Sequence, residues 1–198
     1  MKFTPTSLPG VVLIEPTVFG DARGWFMESF SQQRFDAGLA SLGLPPVRPF
    51  VQDNESSSAA GVLRGLHYQL PPHAQGKLVR VVHGAVLDVA VDIRRGSAHF
   101  GRWMAVELSA ANRQQLWIPE GFAHGFVALQ DDTRFVYKTT DYYAKDCERA
   151  IRWDDADIGI SWPAGMAFAL APKDAAAPKL ADAAPADLPD LADLADLA

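Results

Sequence analysis

Two histidines sit in short apolar stretches bordered by tight turns. His67 lies in Gly61-Val62-Leu63-Arg64-Gly65-Leu66-His67-Tyr68-Gln69, and His124 in Ile118-Pro119-Glu120-Gly121-Phe122-Ala123-His124-Gly125-Phe126. The sequence between them alternates as strands do, and a β-barrel would bring both rings into one interior. An imidazole that is neutral near pH 7 can accept a proton, so enclosed histidines suit acid–base work or metal binding. Lys77 opens a strong strand in Gln75-Gly76-Lys77-Leu78-Val79-Arg80. Inside a barrel it needs an oxyanion or phosphate partner, whereas at an exposed strand end it carries no chemistry. Tyr137 follows Phe135 and Val136; its phenol can fill core or donate a proton. A lone histidine is more often structural. Arg64, Lys77 and Arg80 weigh against that for His67, because several cations buried together need an anionic partner.

The elements that must position these groups are mostly strands. Segments 11–14, 25–30, 62–69, 77–83, 85–93, 102–108, 115–118, 125–129 and 133–139 are short, rich in β-branched or aromatic residues, and separated by turn chemistry. Leu87, Val89, Val91 and Ile93 form one face of their strand, and Val86, Asp88, Ala90 and Asp92 the other. Such a series predicts an all-β fold, an antiparallel sandwich or barrel, with few short helices. A straight strand would put Arg64 and His67 on opposite faces, so Gly65 is expected to bend or bulge it. One early helix is expected over 31–39, with Ser31 as N-cap and Phe35 and Leu39 on one face. A turn or short helix is expected over 154–162. Residues 1–177 read as a single domain. Residues 178–198, built of Ala, Asp, Leu and Pro, read as a disordered acidic tail.

Composition limits the function classes. Apolar residues make up 48% of the chain and charged residues 21%, the balance of a soluble globular protein. The net charge is −6 and much of it falls in 178–198, so nothing points to a nucleic-acid partner. A single cysteine, Cys147, excludes an internal disulfide and a Cys-based zinc site and suits a reducing compartment. The first residues lack the apolar core of a secretion signal, and no apolar run is long enough to span a membrane, so a cytoplasmic location is expected.

Pro119-x-Gly121-x-x-His124 resembles the second half of the cupin metal signature, and Gly61-x5-His67-x-Gln69 part of the first half. Gln69 stands where a second histidine belongs, and the expected glutamate is missing. Two histidines alone make a poor transition-metal site. The expectation is a cupin-type antiparallel barrel, or jelly roll, that has lost its metal. Six blocks then carry a more specific resemblance: 21–28 (Asp-Ala-Arg-Gly-Trp-Phe-Met-Glu), 52–56 (Gln-Asp-Asn-Glu-Ser), 63–69, 76–80, 119–126 and 136–143 (Val-Tyr-Lys-Thr-Thr-Asp-Tyr-Tyr). In order and spacing they resemble the dTDP-4-dehydrorhamnose 3,5-epimerase family over about residues 1–175, leaving the tail outside.

The resemblance implies a cofactor-free isomerase acting on dTDP-4-dehydro-6-deoxy-D-glucose. The C4 ketone acidifies the hydrogens on C3 and C5; a base removes one to give an enolate, and an acid protonates the opposite face. By resemblance His67 is the base, Asp174 its carboxylate partner, Tyr137 the proton donor, and Lys77 the stabiliser of the enolate oxygen. Asp88 is a second candidate to orient His67. Tyr143 matches a residue that stacks on thymine. Arg23, Glu28, Gln52, Asn54, Arg64, His124, Glu148 and Lys173 match substrate-binding positions, with the guanidinium forks of Arg23 and Arg64 suited to a diphosphate. Family members are homodimers that exchange N-terminal strands, so Arg23 and Glu28 are expected to serve a neighbouring subunit. The alternatives are a 3- or 5-mono-epimerase of a related deoxysugar, a metal-dependent cupin isomerase or dioxygenase, and a silent sugar-nucleotide-binding module.

Overall fold

Alternation along the strands, with β-branched and aromatic residues on both faces, builds two antiparallel sheets that bury both of their sides. The structure is a computed structural model and describes residues 1–195. Its strands are β1 (Lys2–Pro5), β2 (Val12–Glu15), β3 (Val18–Asp21), β4 (Gly24–Met27), β5 (Gln52–Ser58), β6 (Leu63–Gln69), β7 (Lys77–His83), β8 (Ala85–Asp92), β9 (Trp103–Ser109), β10 (Gln115–Ile118), β11 (Phe122–Ala128), β12 (Thr133–Thr139) and β13 (Glu148–Ala150). One sheet has the order β1-β2-β10-β7-β12-β5, the other β13-β6-β11-β8-β9, and β3 and β4 form a separate hairpin. The all-β reading holds. Four strands escaped it. In β1, β3 and β13 the strand runs only three or four residues, and β5 (Gln-Asp-Asn-Glu-Ser-Ser-Ser) is polar throughout.

The inner faces meet in a core of Val79, Val81, Val86, Ala90, Leu108, Leu116, Ile118, Phe122, Phe126 and Phe135, with Tyr137 packed at its edge. The outer face of the six-stranded sheet (Val12, Ile14, Leu78 and Trp117) is covered by the helix α1 (Gln32–Ser41), which buries Phe35 and Leu39. Ser31 caps that helix, accepting from the Arg34 amide. The fourfold spacing of Phe35 and Leu39 therefore does what it predicts.

The outer face of the five-stranded sheet carries Leu66, Tyr68, Val89, Val91 and Ile93. Its cover is the segment expected to be disordered. Residues 178–195 lie along the sheet through two short 3-10 turns, Leu180–Asp182 and Pro185–Asp187, and the helix α3 (Leu191–Ala195). Leu180 and Leu188 are buried there, the Leu180 amide donates to Asp155 Oδ2 at 2.8 Å, and the Arg95 amide donates to the Pro189 carbonyl at 2.8 Å. Low complexity was a misleading sign. Two leucines docking on the apolar sheet face, beside Ile158 and Trp162, offset the ordering entropy of the segment. Positions 196–198 lie outside the described residues. The 154–162 stretch is a series of turns, as expected. Among the described residues no helix is long and apolar enough to cross a membrane.

Candidate active site

The site begins with an irregularity in β6. His67 pairs with His124 of β11, but Arg64 pairs with Phe126, so β6 spends three steps where β11 spends two. That is the bulge expected at Gly65. Gly65 adopts φ +129°, and a side chain there would place its Cβ 2.5 Å from the Gly125 Cα. Only glycines facing each other allow this approach. The bulge turns Arg64 and His67 toward one cavity of about 380 Å³. Behind β6, Ala169 runs beside residues 61–63, with the Leu63 amide donating to the Ala169 carbonyl at 2.9 Å. This brings the short helix α2 (Pro172–Ala175) against the bulge. Its Asp174, 2% exposed, stands 2.6 Å from His67 Nε2 and accepts from the Gly65 amide at 3.3 Å. Burial pushes the Asp174 carboxyl up, but the His67 hydrogen bond and charge outweigh it, and the group lies below its ordinary range. A carboxylate held ionised on Nε2 fixes the ring tautomer and leaves Nδ1 to accept a proton.

Lys77 lines the same cavity from the start of β7 and donates to the His67 carbonyl at 3.3 Å. Burial lowers its ammonium from 10.5 to about 8, against the pull of Asp88 and Glu148. It remains cationic at neutral pH in a place where its field is little screened. Tyr137 enters from β12, and burial raises its phenol above the ordinary value despite Arg64. His124 faces the cavity from β11, its Nε2 2.9 Å from Asp88 Oδ2. Asp88 therefore serves His124, and Asp174 alone of the two candidates bonds His67. The strand face that carries Asp88 points inward, and burial raises its carboxyl. Each histidine thus has its own carboxylate.

At the rim, Lys173 Nζ meets Glu148 Oε1 at 2.9 Å, and the Tyr143 hydroxyl donates to Glu148 Oε2 at 3.1 Å. Lys173 holds the Glu148 carboxyl low against its burial. The Tyr143 amide donates to Gln52 Oε1 at 3.0 Å, and Gln52 Nε2 donates to Asn54 Oδ1 at 3.0 Å. Arg64 Nε donates to Ser58 Oγ at 3.2 Å. The structure therefore gathers Asn54, Arg64, His67, Lys77, His124, Tyr137, Glu148, Lys173 and Asp174 in one cavity, with Gln52 and Tyr143 at its edge. Arg23 and Glu28 are elsewhere. Arg23 reaches Asp21 on the exposed β3–β4 hairpin and Glu28 reaches Arg34 at 3.3 Å. One residue went unassigned. Gln69, 4% exposed, donates to the His73 carbonyl at 2.6 Å and accepts from the Ala144 amide at 2.8 Å, so it ties down the loop that presents Tyr143. Its two-residue offset from His67 on one strand face was the available signal.

A histidine–carboxylate pair, a buried cation and a phenol share one cavity of a cupin-type barrel, a set of groups chemically suited to proton transfer. The chain belongs to the dTDP-4-dehydrorhamnose 3,5-epimerase family, whose model matches residues 5–182. The dTDP-4-dehydrorhamnose 3,5-epimerase of Shigella flexneri is 54% identical over 183 residues, covering 92% of this chain and 98% of that relative. A crystal structure of the dTDP-6-deoxy-D-glucose-3,5-epimerase from Legionella pneumophila with dTDP-4-keto-L-rhamnose superimposes with TM-score 0.89 at 48% identity, covering 96% of this chain and 97% of that one. A 3'-monoepimerase from Streptomyces bikiniensis, in complex with dTDP-quinovose, has TM-score 0.88 at 34% identity and covers 99% of this chain and 96% of its own.

Proposed function

We propose that the chain epimerises dTDP-4-dehydro-6-deoxy-D-glucose at C3 and C5 to dTDP-4-dehydro-L-rhamnose, a step in dTDP-L-rhamnose synthesis. The observation that carries this is the His67–Asp174 pair and Tyr137 lining one cavity with Lys77. His67 takes a proton from the carbon beside the C4 ketone. The C–H electron pair moves into the ring bond, and the carbonyl π pair moves onto oxygen as an enolate. Lys77 stabilises that oxygen. Tyr137 then gives its proton to the same carbon from the opposite face, the enolate collapses to the ketone, and solvent resets both groups. No redox partner is required. His124, held by Asp88, Arg64, Asn54 and Gln52 bind sugar and diphosphate; Tyr143, Glu148 and Lys173 bind the nucleotide end.

The β3–β4 hairpin supports a homodimer. Among the described residues it makes no ladder to either main sheet, and Phe19, Trp25 and Phe26 are 64%, 57% and 69% exposed. A second copy would cover them and receive Arg23 and Glu28 at its own site. The single cysteine suits the cytoplasm, where we place the reaction.

The test is incubation with dTDP-4-dehydro-6-deoxy-D-glucose in heavy water, with product sugars assigned by NMR. Deuterium and inversion at both C3 and C5 are expected. Inversion at one carbon would replace this reading with a mono-epimerase, as in the Streptomyces relative, and no exchange at either carbon would overturn it.

A further inference from the structure

The strand bearing His67 and its short neighbour β13 are held from behind by the C-terminal segment. Across the β13–β6 pair, Glu148 opposes Gln69, Arg149 opposes Tyr68 and Ala150 opposes His67. Alternation puts Glu148, Gln69 and His67 on the cavity side and turns Arg149 and Tyr68 away from it. Those two outward side chains converge on a single residue. The Tyr68 hydroxyl donates to the Asp187 carbonyl at 2.6 Å, and Arg149 Nε donates to Asp187 Oδ1 at 2.6 Å. β13 needs such help. It is three residues long and stands at the edge of its sheet, paired with β6. Asp187 is held independently of the leucines beside it, because the Arg95 amide donates to the Pro189 carbonyl at 2.8 Å and the Leu191 amide donates to the Arg95 carbonyl at 3.1 Å.

We propose that Asp187 is a positioning residue for the nucleotide end of the cavity. By clamping Arg149 and Tyr68 it sets where β13 presents Glu148, and through Glu148 the Lys173 ammonium and the Tyr143 phenol. The proposal rests on the reading that the cavity binds a dTDP-sugar. Asp187 lies beyond residues 5–182, which match the family model.

The experiment uses the full chain with Asp187→Ala, Asp187→Asn, Arg149→Gln and Leu188→Ala, and measures kcat, KM, the Kd for dTDP by calorimetry, and Tm. Asp187→Ala and Arg149→Gln are expected to raise KM and the dTDP Kd about tenfold, the scale of one charge-assisted hydrogen bond, with kcat within about threefold. Asp187→Asn keeps an acceptor oxygen for Arg149 and is expected to recover both constants to within about threefold. Leu188→Ala is expected to lower Tm while leaving KM within about twofold at temperatures where it stays folded. Unchanged KM and Kd in Asp187→Ala and Arg149→Gln, with wild-type protein binding dTDP, would overturn the clamp alone. KM rising in step with lost Tm, equally in Leu188→Ala, would reduce Asp187 to a stabilising contact and overturn it too. Failure of wild-type protein to bind dTDP would overturn the substrate reading, and the clamp's role with it.

Discussion

Replacing Asp174 separates orientation from binding. Its carboxylate is 2% exposed and makes two hydrogen bonds, at 2.6 Å to His67 Nε2 and 3.3 Å to the Gly65 amide. Hydrogen bonds to a charged group are worth about 1.5–3 kcal/mol. Asp174→Ala leaves the His67 ring unheld, and losing one such bond in the transition state predicts a fall in kcat of about 10–100-fold. Asp174→Asn should be worse despite its closer shape. An amide that turns its NH2 toward Nε2 makes that nitrogen the acceptor, which forces the proton onto Nδ1 and removes the base. A wrong tautomer costs about 10⁴-fold where a carboxylate orients a catalytic histidine. The assay is NMR of C3 and C5 exchange and product formation in heavy water, with dTDP affinity measured alongside. Affinity within about threefold of wild type is expected in both variants, because Asp174 sits behind the ring. An asparagine variant that keeps more than about a tenth of wild-type exchange, or loses binding in parallel with turnover, would refute the reasoning.

Four further outcomes follow from the geometry. Lys77 must be charged to stabilise an enolate and burial brings its ammonium down to about 8, so kcat/KM is expected to fall about fivefold from pH 8 to pH 9. The Tyr137 phenol is raised by burial and cannot cause that limb; an activity flat to pH 9.5 would remove Lys77 from the mechanism. Stability moves the other way. The unfolded lysine holds its proton up to 10.5 while the folded one releases it near 8, so between those values the unfolded state binds more protons and this group's contribution to unfolding free energy rises with pH, which denaturant titrations at pH 8 and 10 can check. Gly65→Ala drives a Cβ to 2.5 Å from a backbone carbon at φ +129°, so a loss of about 3 kcal/mol or more, roughly 6–12 °C in Tm, is expected by calorimetry. Leu180→Ala is expected to lower stability by about 2–3 kcal/mol, and an unchanged Tm would return the C-terminal segment to the status of a loose tail.

Much of this was legible in the sequence because the pattern has period two. Long strands such as β7, β8 and β12 are rich in β-branched and apolar residues and bounded by turn residues, so their limits could be read to within a residue. The Gly65 bulge followed from a conflict between periodicity and the need to put Arg64 and His67 together. Two things could not be read locally. Asp88 and Asp174 both suited His67, and only the register that sets His67 beside His124, with Asp88 behind the latter, assigns one carboxylate to each ring. The fate of 178–195 was hidden by composition, although β8 held the hint. Leu87, Val89, Val91 and Ile93 form an apolar face as continuous as the inner one, and such a face requires a cover from somewhere in the chain. The β3–β4 hairpin is the remaining blind spot: Phe19, Trp25 and Phe26 stay exposed, with Arg113 stacked over the Trp25 ring at 4.5 Å.

The two outer coverings come from opposite ends of the polypeptide, and that ordering has a consequence for biosynthesis. Helix α1 precedes most of the sheet it shields and is on hand as β7 and β10 leave the ribosome. The cover over Val89, Val91 and Ile93 is complete only with Leu180 and Leu188, made near the close of translation. During that interval a growing barrel shows a greasy flank to the cell, at the stage when nascent chains are most prone to stick to one another or to be captured by chaperones.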